Sequence, residues 1–444
     1  MNSKKWPIIV FLACAAICFT EGFLHRHIDF IYTNCLQHIS LTHVMSHYPH
    51  GYPYDNDIDD ARIHPEAYEL ANNAYAMADN YFFLKKPLGI RVDYVADKFR
   101  LIAPFFASFF LSFFTLNTSY LITNIIIWIF ASYSACWIGR YIFSSEKVGA
   151  IAGLLFSTSY AMIVLSSSTK GEIYQIAAYI CLVAVSFYLD HFSNDTSKPA
   201  LLNSLLLGTF AGIGIFAGIS TAYLAAFIVV YGLLTMKFKS FMKRNAFLLL
   251  GCAAVYFIIV LFVHRSPPLQ SLAIFKGFDI KRWEYAYKDK MMTHFIFSVP
   301  PHLWFGAILG AIGLKMRELK IILSLFATLL ISEAIMLTAS TPYYNWTISY
   351  YYLQILLPVY LLNARLLSFL IFDARKRKSV LLLAVKRSIA FIFIAVTLFT
   401  SNLGLLGNKY YYYLATRQTP IEVLYHSFFT FDNIYWYEQL AKDR

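Results

Sequence analysis

Carboxylates crowd one polar stretch of the chain, YDNDIDDARIHPE at 54–66, which also contains His64. The carboxylates of this stretch are Asp55, Asp57, Asp59, Asp60 and Glu66. Such a group can take a proton from an attacking hydroxyl, or its oxygens can hold a divalent cation. The spacing differs from a calcium loop, because the turn glycine and the closing glutamate are not at the required positions. The alternative is a solvated loop whose aspartates cap a helix predicted over 61–78.

Other charged groups fall at or near the ends of apolar blocks. Glu172 opens such a block two residues after Lys170, and it is either a second site carboxylate or an acid favoured by the helix dipole. Arg100 directly precedes another block, where it either pairs with a lipid phosphate or extends to the headgroups. Glu21 and Glu333 lie inside blocks, where an ionisable side chain usually faces a cavity or a partner.

Apolar blocks of membrane-spanning length must position these residues. The chain has 444 residues, of which 59% are hydrophobic and only 14% are charged. Its apolar residues form blocks of roughly 20, the length that a hydrocarbon layer about 30 Å thick requires of a helix. The blocks are 6–24, 119–143, 148–167, 172–190, 200–218, 220–236, 246–264, 294–314, 319–339, 349–370 and 388–406, with a shorter one at 101–116. The sequence predicts an all-α integral membrane protein with about eleven transmembrane helices.

The distribution of basic residues indicates whether the short block, 101–116, crosses the membrane. With a cytoplasmic N-terminus, every strongly basic short loop is cytoplasmic if block 101–116 enters and leaves on one side, as the positive-inside rule requires. The basic residues of these loops are Arg140, Lys147, Lys198, Lys237, Lys239, Lys243, Arg244, Lys315, Arg317, Lys320, Arg375, Lys376, Arg377, Lys378, Lys386 and Arg387. If the block spanned, these clusters would all face outward. Its length and Pro104 also favour a re-entrant or interfacial helix.

The resulting arrangement is a single polytopic domain over 1–406 in the plasma or inner membrane. Its extracytoplasmic face carries a large first loop, 25–100, with interfacial helices, a second loop, 265–293, and the tail 407–444. Because the large polar loops share one face, we expect any chemistry there. The net charge of +12 is concentrated beside the spans and does not indicate nucleic-acid binding.

Several common classes of site are absent from the sequence. It contains no Walker A loop, no GxGxxG motif opening a helix, no HExxH and no GxSxG, which argues against ATPase, dinucleotide, zincin and hydrolase sites. Five of the six cysteines lie in apolar blocks and only Cys35 lies in the first loop. A disulfide framework or a zinc site therefore cannot be built in that loop.

Four segments resemble the GT-C superfamily of polytopic glycosyltransferases, which includes protein O-mannosyltransferases and lipid A aminoarabinose transferases. They are HPEAYELANNAYAMADN at 64–80, FRLIAPFFASFF at 99–110, LLLGTFAGIGIFAGISTAYLAAFIVVYGLL at 205–234 and YYYLQILLPVYLL at 350–362. A first span followed by a long outer loop is also similar to that family. The resemblance implies inverting sugar transfer from a polyprenyl-phosphate donor to a glycan, lipid or protein acceptor at the extracytoplasmic side of the bilayer.

The resemblance also implies roles for particular residues. The general base would be Asp60, or else Asp59 or Glu66, with Glu172 as a second site acid. Arg100 and Lys170 would bind the phosphate, and His64 and Tyr68 belong to the matching substrate segment. The chain departs from the family in two places: the family's acid usually follows span 1 closely, and Ser220 and Thr221 stand where it usually has a basic residue. The sequence fixes no cofactor, although the acidic loop is compatible with a divalent cation.

Two other functions stay open from the sequence. A cell-surface polysaccharide polymerase or ligase also uses lipid-linked sugars, but it usually carries basic residues in large later loops, and loop 265–293 is modest. A transporter or flippase of lipid-linked sugars predicts two related halves and charged or broken helices near the bilayer midplane. The sequence shows neither an internal repeat nor a midplane charge cluster.

Overall fold

The computed structural model describes residues 6–24, 102–110, 113–114, 116–159, 162, 166, 172–217, 220–259, 301–339, 356–372 and 380–402. Within this part of the chain all regular secondary structure is helical. The α-helices are α1 (Trp6–Leu24), α2 (Ile102–Phe110), α3 (Leu116–Phe143), α4 (Glu146–Ser157), α5 (Glu172–Tyr188), α6 (Lys198–Gly214), α7 (Ser220–Thr235), α8 (Phe238–Ile259), α9 (Pro301–Ala311), α10 (Met316–Ala339), α11 (Leu356–Phe372) and α12 (Val380–Asn402). A short 3₁₀ helix, Ile215–Ala217, follows α6.

Each apolar block identified in the sequence contains one of these helices. Three segments are long and apolar enough to cross a membrane by themselves: Thr118–Phe143, Lys198–Ala217 and Phe238–Ile259. Shorter apolar helices include Pro7–Gly22 and Ile173–Tyr188. The helical membrane class is therefore supported, and the remaining spans of the eleven stay a prediction.

Basic residues gather at one end of the helix bundle, which we call the basic end. Arg317, at the start of α10, lies over the ring of Tyr141 near the end of α3, with 4.9 Å from guanidinium carbon to ring centre. The ammonium group of Lys320 donates to the carbonyl of Leu234 near the end of α7 at 2.9 Å. The other residues that define this end are Arg140, Lys147, Lys237, Arg365 and Lys386. Where the structure describes them, the basic loops predicted to share one face therefore lie at one end of the bundle; the loop with Arg375, Lys376, Arg377 and Lys378 lies outside the described residues.

The positions of α1 and α2 bear on the prediction that block 101–116 does not cross the membrane. Helix α1 begins at the basic end, where Pro7 lines a cleft with Arg140, and its Gly22 reaches Ser166 far from that end. Helix α2 packs on α3 and on the 3₁₀ helix that follows α6, so it lies at the opposite end. The chain thus leaves α1 and returns in α2 at one end, here called the first-loop end. With nine residues, α2 is about 14 Å long, too short to cross a bilayer.

Glycines allow α6 and α8 to pack at backbone distance. A Cβ atom on Gly208 would overlap the carbonyl group of Leu248, and one on Gly251 would overlap the carbonyl of Leu205. Small residues bring helices together in this way where lipid gives no hydrophobic drive for association. Because Gly208 and Gly212 are four residues apart, they lie on one face of α6.

Two helix boundaries differ from those expected from hydropathy. Helix α8 begins at Phe238 and not at 246, because its first turns are held by the loop at 189–197. Arg244, expected to be a loop cation, is instead fully buried in this helix. Helix α4 was expected to extend through 148–167, but it ends at Ser157.

Candidate functional site

Most of the predicted site residues lie outside the part of the chain that the structure describes. This applies to Asp59, Asp60, His64, Glu66, Tyr68, Arg100 and Lys170. Glu172 is the first residue of α5, although its side chain is not among those described. Helix α1, which precedes the first loop, ends at the first-loop end, and α2, which follows the loop, lies at the same end. That end is therefore the place where the described residues can contribute to a site.

The last turn of α1 carries an acid against α3. Glu21 is partly buried, and its Oε2 atom is inaccessible to solvent. The adjacent Gly22 packs so closely that a Cβ atom there would lie 2.6 Å from Ile125 Cδ1 and 3.8 Å from Ser166 Oγ. The amide Nδ2 of Asn124 donates to the carbonyl of Ser166 at 3.0 Å. Glu21 thus lies near one end of α1, as expected from the sequence.

Two buried phenols lie near the same end. Tyr120 is in the first turns of α3 and Tyr174 is in the first turn of α5, and they are only 1% and 2% exposed. The hydroxyl of Tyr174 has no hydrogen-bond partner among the described residues. A buried hydroxyl without a partner is costly, so this group is available to a neighbouring loop or to a ligand.

The end of α4 is fixed inside the bundle by aromatic donors. The Tyr360 hydroxyl of α11 donates to Ser159 Oγ at 3.0 Å, just after α4 ends. Trp128 Nε1 of α3 donates to the carbonyl of Phe156 at 3.2 Å. Irregular backbone at membrane depth is tolerated only where protein covers it or where it lines a wet cavity. The hydrogen bonds from Tyr360 and Trp128 show that the end of α4 is enclosed by protein.

Together these elements put hydroxyl and amide groups inside an otherwise apolar bundle. The buried polar side chains of α3, the end of α4 and the start of α5 are Ser119, Thr123, Asn124, Ser132, Ser157, Thr158, Ser159, Ser166 and Gln175. Such groups can hydrogen-bond sugar hydroxyls or phosphate oxygens. Among the residues that the structure describes, no three His, Cys, Asp or Glu side chains are close enough to hold a metal ion. The acidic segment proposed for a cation lies outside them.

Helix α2 gives this end an aromatic outer surface. Its Ala103 and Ala107 are buried against the bundle, and Phe105, Phe106 and Phe109 are exposed on the other side. Ile102 packs against Phe216 of the 3₁₀ helix. An exposed phenylalanine face on a short helix at one end of the bundle fits the boundary between headgroups and acyl chains.

Comparison with known proteins identifies the fold. The structure matches the crystal structure of the apo oligosaccharyltransferase from Archaeoglobus fulgidus with a TM-score of 0.52 and 14% sequence identity. The match covers 90% of this chain and 56% of the oligosaccharyltransferase, so the chain spans little more than half of that protein's length. The two proteins therefore share a fold over the aligned part.

Other comparisons add little to this fold assignment. A second structure is the oligosaccharyltransferase AglB from the same organism in complex with an inhibitory peptide and a dolichol-phosphate. It aligns with a TM-score of 0.49 and 13% identity over 90% of this chain and 56% of its own. No protein-family profile and no curated protein sequence matches the chain.

Proposed function

We propose that this protein is a membrane glycosyltransferase. It transfers a sugar from a polyprenyl-phosphate donor to an acceptor hydroxyl at the first-loop end of the bundle, which we assign to the extracytoplasmic face. The observation that carries the proposal is the fold shared with the oligosaccharyltransferase, together with the sequence resemblance to the GT-C superfamily. Helices α1 and α2, which flank the first loop, both reach the end where Glu21, Tyr120 and Tyr174 lie.

The acidic segment of the first loop supplies the general base in this proposal. Asp60 takes the proton of the acceptor hydroxyl as its oxygen attacks the anomeric carbon, and Asp59 and Glu66 are the next candidates. Glu172 is the second acid, since α5 begins with it at the same end as Tyr174. His64 and Tyr68 contact the substrate from the same segment.

Cations at the membrane surface bind the leaving group in this proposal. The bond between the anomeric carbon and the phosphate oxygen breaks, and Arg100 and Lys170 stabilise the negative charge of the lipid phosphate. Arg100 is two residues before the start of α2 in the sequence, and α2 carries the exposed phenylalanine face. The acceptor is a glycan, a lipid or a protein hydroxyl group.

A transfer assay tests the proposal. Proteoliposomes are incubated with polyprenyl phosphates carrying radiolabelled mannose, glucose, N-acetylglucosamine or aminoarabinose, together with an envelope extract as acceptor. We expect one donor to lose its label to the acceptor, and the Asp60→Asn variant to lose at least about a hundredfold in rate. Asp93→Asn is the matched control in the same loop.

Two outcomes would overturn this proposal. Full transfer by the Asp60→Asn variant would exclude that residue as the base. Movement of the intact labelled lipid between leaflets, without release of lipid phosphate, would favour the transporter alternative.

A further inference from the structure

A cleft opens at the basic end, between α1, the last turns of α3 and the start of α4. Its lining residues are Pro7, Val10, Tyr133, Cys136, Trp137, Arg140 and Glu146. This cleft is remote from the first-loop end, and the proposed glycosyl transfer makes no use of it.

Among the described residues that line the cleft, one cation and one anion lie side by side. Arg140 Nη2 lies 3.3 Å from Glu146 Oε1. The Arg140 and Glu146 side chains are 50% and 37% exposed, so a ligand can reach both. An exposed ion pair of this kind contributes little to stability, and each partner can be exchanged for a ligand charge at small cost.

The walls of the cleft are aromatic and its floor is apolar. Trp137 stacks on Tyr141 with ring centres 5.5 Å apart and planes inclined by 15°. Val10 and Cys136 are buried beneath. An indole ring attracts an ammonium group through its π face.

The two charged residues are held in place by the packing of α3 against α4. Ser145 caps α4, since its hydroxyl accepts the Val148 amide at 3.4 Å. A Cβ atom on Gly149 would lie 3.0 Å from both the backbone nitrogen and the Cβ of Arg140, so α4 packs directly on that turn. The separation of Arg140 and Glu146 is therefore set by the backbone.

We propose that this cleft binds the headgroup of a zwitterionic phospholipid, a phosphodiester that carries an amine. The phosphate replaces Glu146 as the partner of Arg140, and the ammonium group pairs with Glu146 beside the Trp137 ring. The upper acyl chains continue into the bilayer beside α1. A purely anionic headgroup satisfies Arg140 but meets the Glu146 carboxylate as a like charge, so charge complementarity selects the zwitterion.

Lipid binding to delipidated protein tests this site. Phosphatidylethanolamine and phosphatidylglycerol with identical acyl chains are titrated in detergent, and bound lipid is counted by native mass spectrometry. We expect phosphatidylethanolamine to bind roughly fivefold more tightly, the effect of one partly exposed charge pair. Glu146→Gln should remove this preference, and Arg140→Gln should weaken the binding of both lipids. Lys239→Gln, an equal charge change at an exposed position of α8, should leave binding unchanged.

The wild-type preference alone decides the main point, so the proposal is testable even if a variant fails to fold. Equal or tighter binding of phosphatidylglycerol by the wild type would overturn it. Free phosphoethanolamine should compete only weakly, because it lacks the acyl chains that hold a lipid at the membrane surface. Displacement of the lipid by an equal concentration of that soluble compound would overturn the assignment to a membrane lipid.

Discussion

The Nε atom of Arg244 donates a hydrogen bond to Ser204 Oγ at 2.9 Å, in a part of the bundle that solvent does not reach. The same guanidinium donates to Ser193 Oγ at 2.5 Å and to the carbonyl of Ala200 at 3.2 Å. One side chain therefore joins α8, α6 and the loop at 189–197. Its partners are neutral oxygens, which compensate for the loss of water only because several act together.

Removal of this side chain should destabilise the basic end. We expect Arg244→Ala to lower the free energy of unfolding by about 3 kcal/mol, because it leaves buried oxygens without their donor. Thermal unfolding in detergent measures the change. Lys243→Ala is the control, since that neighbouring cation is exposed. Equal effects of the two substitutions would contradict the proposed role of burial.

The same cluster makes stability depend on pH through His191. Burial, followed by the charge of Arg244, lowers the pKa of His191 to about 4. The unfolded chain takes up this proton below about pH 6.5, and the folded chain takes it up only near pH 4. Stability should therefore fall as the pH drops through this window, by at most about 3 kcal/mol from this group.

Unfolding midpoints at pH 7 and pH 5 measure this dependence. The His191→Gln variant cannot titrate here and can still hydrogen-bond Ser204, whose Oγ lies 3.1 Å from His191 Nδ1. We expect the variant to lose part of the difference between the two pH values. An unchanged difference would assign the acid sensitivity to other groups.

Gly149 should tolerate no side chain. A Cβ atom at this position would lie 2.5 Å from the carbonyl oxygen of Cys136, which is backbone and cannot move aside. We expect Gly149→Ala to destabilise the protein by about 1–3 kcal/mol, although alanine is usually favoured over glycine in a helix. Gly232→Ala is the matched control, because its Cβ would meet the movable ring of Phe241 at 2.7 Å. Equal loss of stability in both variants would contradict this explanation.

Cysteine labelling should place the two ends of the bundle on opposite sides of the membrane. In a variant with all six native cysteines replaced by serine or alanine, single cysteines are introduced at Asp60, Ser144, Lys239 and Lys376. We expect a membrane-impermeant thiol reagent to label the Asp60 position from outside and the other three only from inside. Labelling of the Asp60 and Ser144 positions from the same side would mean that block 101–116 crosses the bilayer.

The helical blocks could be predicted from sequence because hydropathy over roughly 20 residues reports burial in lipid directly. The common location of the basic loops also followed from charge, and contacts such as Arg317 on Tyr141 agree with it. The start of α8 was missed because Lys239, Lys243 and Arg244 have the polarity of a loop. Arginine and lysine are nevertheless good helix formers, and only tertiary contacts bury Arg244.

The interior polar groups were harder to predict. Glu21 was recognised because a charge in an apolar block stands out. Asn124 and Ser166 were not, since they are 42 positions apart and neither changes the hydropathy of its block. Tyr360 and Ser159 are 201 positions apart, so no local pattern predicts their hydrogen bond. Pairings of this kind arise from the packing of helices and not from periodicity along one of them.

The early end of α4 has an electrostatic consequence. Its 12 residues rise about 18 Å from the basic end, so Ser157 lies well below the opposite headgroup plane of a layer about 30 Å thick. At that depth the effective dielectric constant is far lower than in water, and a negative charge interacts with a nearby donor several times more strongly. The polar groups around Ser159 therefore face a medium in which a few fixed dipoles can stabilise a charge that water would otherwise screen.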